Sequence, residues 1–129
     1  MNNIVKEIGM PINSRQKGAA GERELSKILR EAGFSECRRG QQYCGANGDA
    51  DVVGLDDIHI ECKRVEKLNI DDALAQAVRD KKENEYAVVF HRKNHTKWKV
   101  TFSLEDFLLF YKCYRLVKEF DPEVLREWK

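Results

Sequence analysis

Apolar positions change their period several times along the chain, and each change marks an expected element. In SRQKGAAGERELSKILREAGF (14–34), Leu25, Ile28, Leu29 and Ala32 recur at i, i+3, i+4 and i+7, the spacing of a single helical stripe. Ser14 offers an N-cap and Gly33 a C′ residue for that helix. Gly18 and Gly21 fall on the same stripe, where a glycine costs about 1 kcal/mol relative to alanine, so backbone or ligand is expected to approach closely there. CRRGQQYCGAN (37–47) reads as a short extended piece followed by a loop. ADVVGL and IHIECKRV, joined at Asp56 and Asp57, are β-branched runs with the look of a hairpin. In the second run Ile58, Ile60 and Cys62 alternate with His59, Glu61 and Lys63, which period two places on the more polar face.

Asn69 then caps a helix over NIDDALAQAVRDKK, whose first-turn acids suit the helix dipole. YAVVFHR and KWKVTF are strands on either side of the turn KNHT. Ser103 caps a long helix that is apolar nearly all round (Phe107, Leu108, Leu109, Phe110, Tyr111, Tyr114, Leu116, Val117), a pattern that calls for two partners, its own sheet and a second subunit. A short last helix starts with Asp121 as cap and Pro122 at its first position. The order αβββαββα, before that last turn, defines an α/β fold with a central mixed β-sheet flanked by helices.

At 129 residues the chain is one domain, residues 1–129, with 1–13 expected as a flexible arm. A composition 42% hydrophobic and 35% charged is that of ordinary globular proteins. No run approaches the roughly 20 apolar residues that span a bilayer, and the N-terminal stretch lacks a signal peptide's apolar core. An intracellular, cytoplasmic protein with no membrane partner is therefore expected, with free thiols at Cys37, Cys44, Cys62 and Cys113. There is no CxxC pair to suggest zinc, and His91 and His95 straddle a strand end and a turn. The net charge of +1 hides a division: residues 47–58 carry −4, while 1–46 and 59–100 carry +3 each. An acidic pocket between basic flanks is one reading of this division and solvated faces are the other, since a nucleic-acid footprint needs clustering in space.

The strand pair carries the chemistry. Asp51 at the start of one strand and Glu61 on the next can converge at one end of the sheet, and converging carboxylates repel unless a cation lies between them. An oxygen-rich site of this kind suits Mg²⁺, with Mn²⁺ as the alternative. Lys63, on the face of Glu61, can hold a water or balance charge on a phosphate. Glu-x-Lys by itself is usually a surface salt bridge; the upstream Asp, the ten-residue spacing and a preceding acid-bearing helix are what set this one apart.

KGAAGERELSKILREAGF, RRG, DADVV and IHIECK together resemble the PD-(D/E)XK nuclease superfamily, most closely the archaeal-type Holliday-junction resolvases and related phage nucleases, over residues 15–66. The resemblance implies a restriction-endonuclease-like domain. It implies that Asp51 and Glu61 bind the metal, joined by the Cys62 carbonyl and by Glu22 through water, and that Lys63 positions the attacking water. Helical geometry does not separate Glu22 from Glu24, nor does position alone separate Asp51 from Asp49; in both cases the resemblance selects the first. It also implies DNA contacts from Lys17, Arg23, Arg38, Arg39, Gln41, Gln42, Arg64 and Gln76. The stretch RGQQYCGANGDAD departs from related resolvases in having no serine, a role open to Gln41, Gln42 and Tyr43. Trp98 reads as core, with Lys81, Lys82, Arg92, Lys93, Lys97 and Lys99 as a phosphate-contacting rim.

The expected function is thus a Mg²⁺-dependent endodeoxyribonuclease acting on branched DNA, a homodimer cutting two strands of a four-way junction. Its rivals are a general or nicking nuclease of the same fold, with RNA open as substrate, and a nucleic-acid-binding protein without catalysis.

Overall fold

In the computed structural model, residues 10–41 and 50–129 are described, with side chains from Gln16 onward in the first segment. The elements are α1 (Met10–Glu31), β1 (Arg38–Arg39), β2 (Val52–Val53), β3 (Ile58–Arg64), α2 (Ile70–Asp80), β4 (Tyr86–Arg92), β5 (Lys99–Thr101), α3 (Leu104–Phe120) and α4 (Pro122–Glu127). The five strands lie in chain order, β1-β2-β3-β4-β5. All neighbours are antiparallel except β3 and β4, which run parallel in the register Ile58↔Tyr86 to Arg64↔Arg92. A parallel pair needs a crossover, and α2 supplies it. The result is the expected α/β fold, a mixed sheet flanked by helices in restriction-endonuclease-like order.

Local chemistry sets most element ends. The Asn69 side chain accepts from Asp72 N at 3.1 Å and the Ser103 hydroxyl from Asp106 N at 3.0 Å, so both caps form as expected. Two other caps do not. Ser14 lies inside α1, which is already helical at Met10. Asp121 makes no side-chain cap, and α4 begins on the fixed φ of Pro122.

The strict alternation of β3 divides the fold. Ile60 and Cys62 join Leu25 of α1 and Val52 of β2 in one buried cluster, with Leu29, Leu55, Ile58, Phe90 and Trp98 packed against it. α1 comes close to β3 at Gly21, where a Cβ would stand 2.9 Å from the Cβ of Arg64. Gly18 faces open space, so only one of the two expected glycines marks a contact. The opposite face of β3 and β4 is covered by α2, which comes in on the buried small residues Ala73 and Ala77. By contrast α3 buries none of its residues. It is tied to the sheet by ring contacts, Phe110 against Tyr86 and Phe102, and Phe107 against Phe102. The sheet partner expected for this helix is present, and the rest of its apolar surface is open.

Gly54 turns the chain from β2 toward β3 at φ +105°, and a Cβ there would lie 2.3 Å from the carbonyl oxygen of Glu36. Both strain and overlap oppose any side chain. Gly54→Ala is expected to destabilise the fold by at least about 2 kcal/mol in urea denaturation. An unchanged midpoint would mean that this turn is free to relax.

Candidate active site

Three backbone links fix the position of Asp51. Its N–H donates to Ile60 O at 3.2 Å, and its carbonyl accepts from Gly40 N at 2.9 Å. Its carboxylate Oδ2 accepts from Cys62 N at 2.8 Å, which sets the acid beside β3 next to Glu61. Glu61 is only 4% exposed. Lys63, two residues on along the same face, brings Nζ to 3.4 Å from Glu61 Oε2. The structure therefore unites Asp51, Glu61 and Lys63 as the strand pattern expects.

Burial pushes the Glu61 carboxyl up to about 7, the Asp51 charge adds to the shift, Lys63 opposes it, and Asp80 adds a smaller push. Glu22 on α1 is also raised, first by burial; the Arg39 hydrogen bond pulls it back and the Asp51 charge pushes it further up. Arg39 Nε donates to Glu22 Oε1 at 2.9 Å. Glu24 faces elsewhere: its carboxylate takes three hydrogen bonds from Arg92 Nε and Nη2, at 3.1 to 3.2 Å. Geometry thus separates the two helix acids that sequence spacing could not. Asp49, the rival to Asp51, lies outside the described residues, as do Gln42 and Tyr43.

Glu22, Asp51 and Glu61 are an all-oxygen donor set on which protons or a cation must relieve repulsion, which fits a hard divalent ion. One neighbouring cluster was not singled out from the sequence. His59, Glu61 and Asp80 bring one ligand atom each within 4.8 Å of one another. His59 shares the polar face of β3 and so was legible by period, but Asp80 arrives from the end of α2, for which the sequence holds no signal.

The basic and amide residues fall into groups. Arg23 and Arg38 are exposed, on α1 and β1, and Gln41 is exposed just past β1. Gln76 is half-buried on α2. Lys17 pairs with Glu66 at 3.2 Å. Arg64 alternates to the α1 face, with Nε 3.9 Å from Glu24 Oε1 and Nη2 donating to Asn94 Oδ1 at 3.4 Å. Lys67, Arg92, Lys93 and Lys99 border an open cleft of about 380 Å³. Trp98 is half-buried against the core, with the Arg92 guanidinium 5.8 Å from its ring centroid.

A mixed sheet with an Asp and a Glu-x-Lys on adjacent strands, and an acid on the preceding helix, defines a nuclease of the PD-(D/E)XK superfamily. The chain belongs to the archaeal Holliday junction resolvase family, whose model matches residues 13–105. It is by family a metal-dependent endonuclease of DNA recombination, acting on Holliday junctions. Comparison with curated proteins and with solved structures gave no match. Among the described residues no helix is long and apolar enough to cross a membrane.

The raised Glu61 pKa has a defined sign in the metal-free protein. The folded state holds the proton up to about 7 while the ordinary value is 4.5, so between those values the unfolded state binds fewer protons. Stability falls as pH rises through that window, and the penalty is complete above it. Glu61→Gln should therefore stabilise the metal-free protein at pH 8 by about 1–3 kcal/mol and give little at pH 4.5, as read by thermal denaturation. Equal gains at both values would refute the assignment.

Proposed function

We propose that Asp51 and Glu61, with the Cys62 carbonyl and with Glu22 through water, hold a Mg²⁺ ion, Mn²⁺ serving in its place, and that Lys63 positions the attacking water. The observation that carries this reading is the buried Glu61 carboxylate, held between the fixed Asp51 and Lys63 Nζ at 3.4 Å. When bound, the cation supplies a Lewis acid to a phosphoryl oxygen. Lys63 balances charge that develops on the phosphate, and burial strengthens that interaction. Arg23, Arg38 and Arg39 flank the Glu22 side of the site and take the DNA backbone, with Gln41, Gln42 and Gln76 as polar contacts. Lys17 and Arg64 reach phosphate by exchanging Glu66 and Glu24 for it. The substrate is DNA, and the protein works in the cytoplasm of a bacterial, archaeal or phage-infected cell.

A homodimer completes the reading. Two equivalent phosphates in a four-way junction call for two copies of one site. The open apolar surface of α3 offers the interface: Phe107, Tyr111 and Tyr114 form a stacked row with centroids 6.0 and 5.9 Å apart. Glu105 and Asp106 stand near the start of this helix and Arg115 and Lys118 near its end, so an antiparallel second copy meets opposite charge at both ends.

Purified protein given an immobile four-way junction should make paired, symmetrical cuts in Mg²⁺, lost in EDTA, and should spare a duplex of matched arm length. Glu61→Ala and Lys63→Ala should each slow cleavage by roughly 10³-fold or more with junction affinity nearly unchanged. Unchanged cleavage would remove these residues from the chemistry. Tyr111→Glu should convert a dimer into a monomer in sedimentation velocity and uncouple the paired cuts; a dimer that persists would place the interface elsewhere.

A further inference from the structure

We propose that His59, Glu61 and Asp80 form a second divalent-cation site, selective for Mn²⁺ or a similar first-row transition ion over Mg²⁺, with Glu61 shared between it and the Asp51 site. His59 and Asp80 have no part in the proposed catalytic ion, and Glu61 joins the two sites.

The first observation is the state of His59. Its side chain is 7% exposed, and both ring nitrogens face carboxylates. A buried imidazole set among carboxylates is a metal-ligand environment as much as a structural one. Carboxylate oxygens lie on both sides of the ring. Nε2 lies 3.9 Å from Glu61 Oε1 and Nδ1 lies 3.8 Å from Glu85 Oε1. These separations are too long for hydrogen bonds, and the first is of the size that a cation between the two groups would produce.

The second observation is Asp80. It is the last residue of α2, where a negative charge opposes the helix dipole, and it is turned toward His59 and Glu61 rather than toward a basic partner. The three ligand atoms stand within 4.8 Å of one another. Donors about 2.1 Å from one ion stand at most roughly 4.2 Å apart, so a movement of less than an ångström closes the site. Asp80 is exposed and gives an ion its route in.

The surroundings agree. Glu85 is held in place by Lys82 N, which donates to its Oε1 at 2.8 Å, so it can accept the proton of Nδ1 and leave Nε2 to the metal. The two oxygens of Glu61 are already divided, Oε2 toward Lys63 at 3.4 Å and Oε1 toward His59. That is the disposition of a carboxylate bridging two ions in a two-metal site. A nitrogen donor with two carboxylates favours first-row transition ions, whereas Mg²⁺ prefers oxygen and keeps its waters.

The test counts Mn²⁺ ions bound to the full chain by electron paramagnetic resonance, with no nucleic acid present. The wild type should bind two, one displaced by excess Mg²⁺ and one retained. His59→Ala and Asp80→Asn should each weaken the retained ion at least tenfold and leave the other; Asp80 is exposed, so its variant tests the site without disturbing the core. Asp51→Asn should do the reverse. Retention of both ions in Asp80→Asn, or a single Mg²⁺-displaceable ion in the wild type, would overturn the second site. Loss of no ion in Asp51→Asn would count against the proposed catalytic site while leaving this one standing.

Discussion

A carboxylate 4% exposed in the middle of a β-sheet is the constraint to which the neighbouring structure answers. Left alone, Glu61 would stay protonated or force solvent inward, because an isolated buried charge costs several kcal/mol. The fold offers it one cation, Lys63, and then works against that help by fixing Asp51 on the amide of the next residue. An arrangement serving stability alone would have omitted the second acid. Placing one acid on β3 and the other just before the adjacent antiparallel β2, tied by the Asp51–Ile60 and Asp51–Cys62 links, makes their repulsion rigid rather than avoidable. A rigid concentration of negative charge gives a site affinity for cations before any substrate arrives.

The rest of the charge network orients α1. Two of its acids diverge, Glu22 to Arg39 at the start of the sheet and Glu24 to Arg92 on β4. Arg92 also lies over Trp98, so one guanidinium joins helix, strand and core. These links matter because the contact of α1 with β3 at Gly21 leaves no room for sliding. With the helix pinned at three places, Glu22 is held at the edge of the acidic site, and Lys17 and Arg64 are drawn into ion pairs with Glu66 and Glu24.

What could be read in the sequence follows the range of the interactions involved. The alternation in IHIECKR, the caps at Asn69 and Ser103 and the pair Leu25 and Leu29 are local, and the strand faces, helix starts and core followed from them, whereas Ile28 and Ala32 of the same expected stripe are exposed. Ser14 and Asp121 had the right side chains for caps, but Ser14 falls inside α1 and Asp121 makes no side-chain cap, α4 beginning instead on the fixed φ of Pro122. The division of labour between Glu22 and Glu24 was hidden because both flank the same stripe; only the positions of Arg39 and Arg92, brought in by the sheet, decide it. Asp80 and Glu85 were hidden for the same reason, since they meet His59 only once the β3–β4 crossover is closed.

The family match ends at residue 105, and α3 begins at Leu104. All the acids and the lysine of the candidate site lie within the matched residues, while the open aromatic surface lies almost wholly beyond them. Chemistry and the exposed helix are thus carried by separable parts of the chain, joined through a small set of ring contacts to Tyr86 and Phe102. Such a joint lets α3 vary without disturbing Glu61, because nothing in the site depends on it. It also gives α3 a geometric role: if two copies meet there, the attachment of the helix to β4 and β5 fixes the distance between the two sites, and a symmetrical junction is cut at the two phosphates that this distance selects.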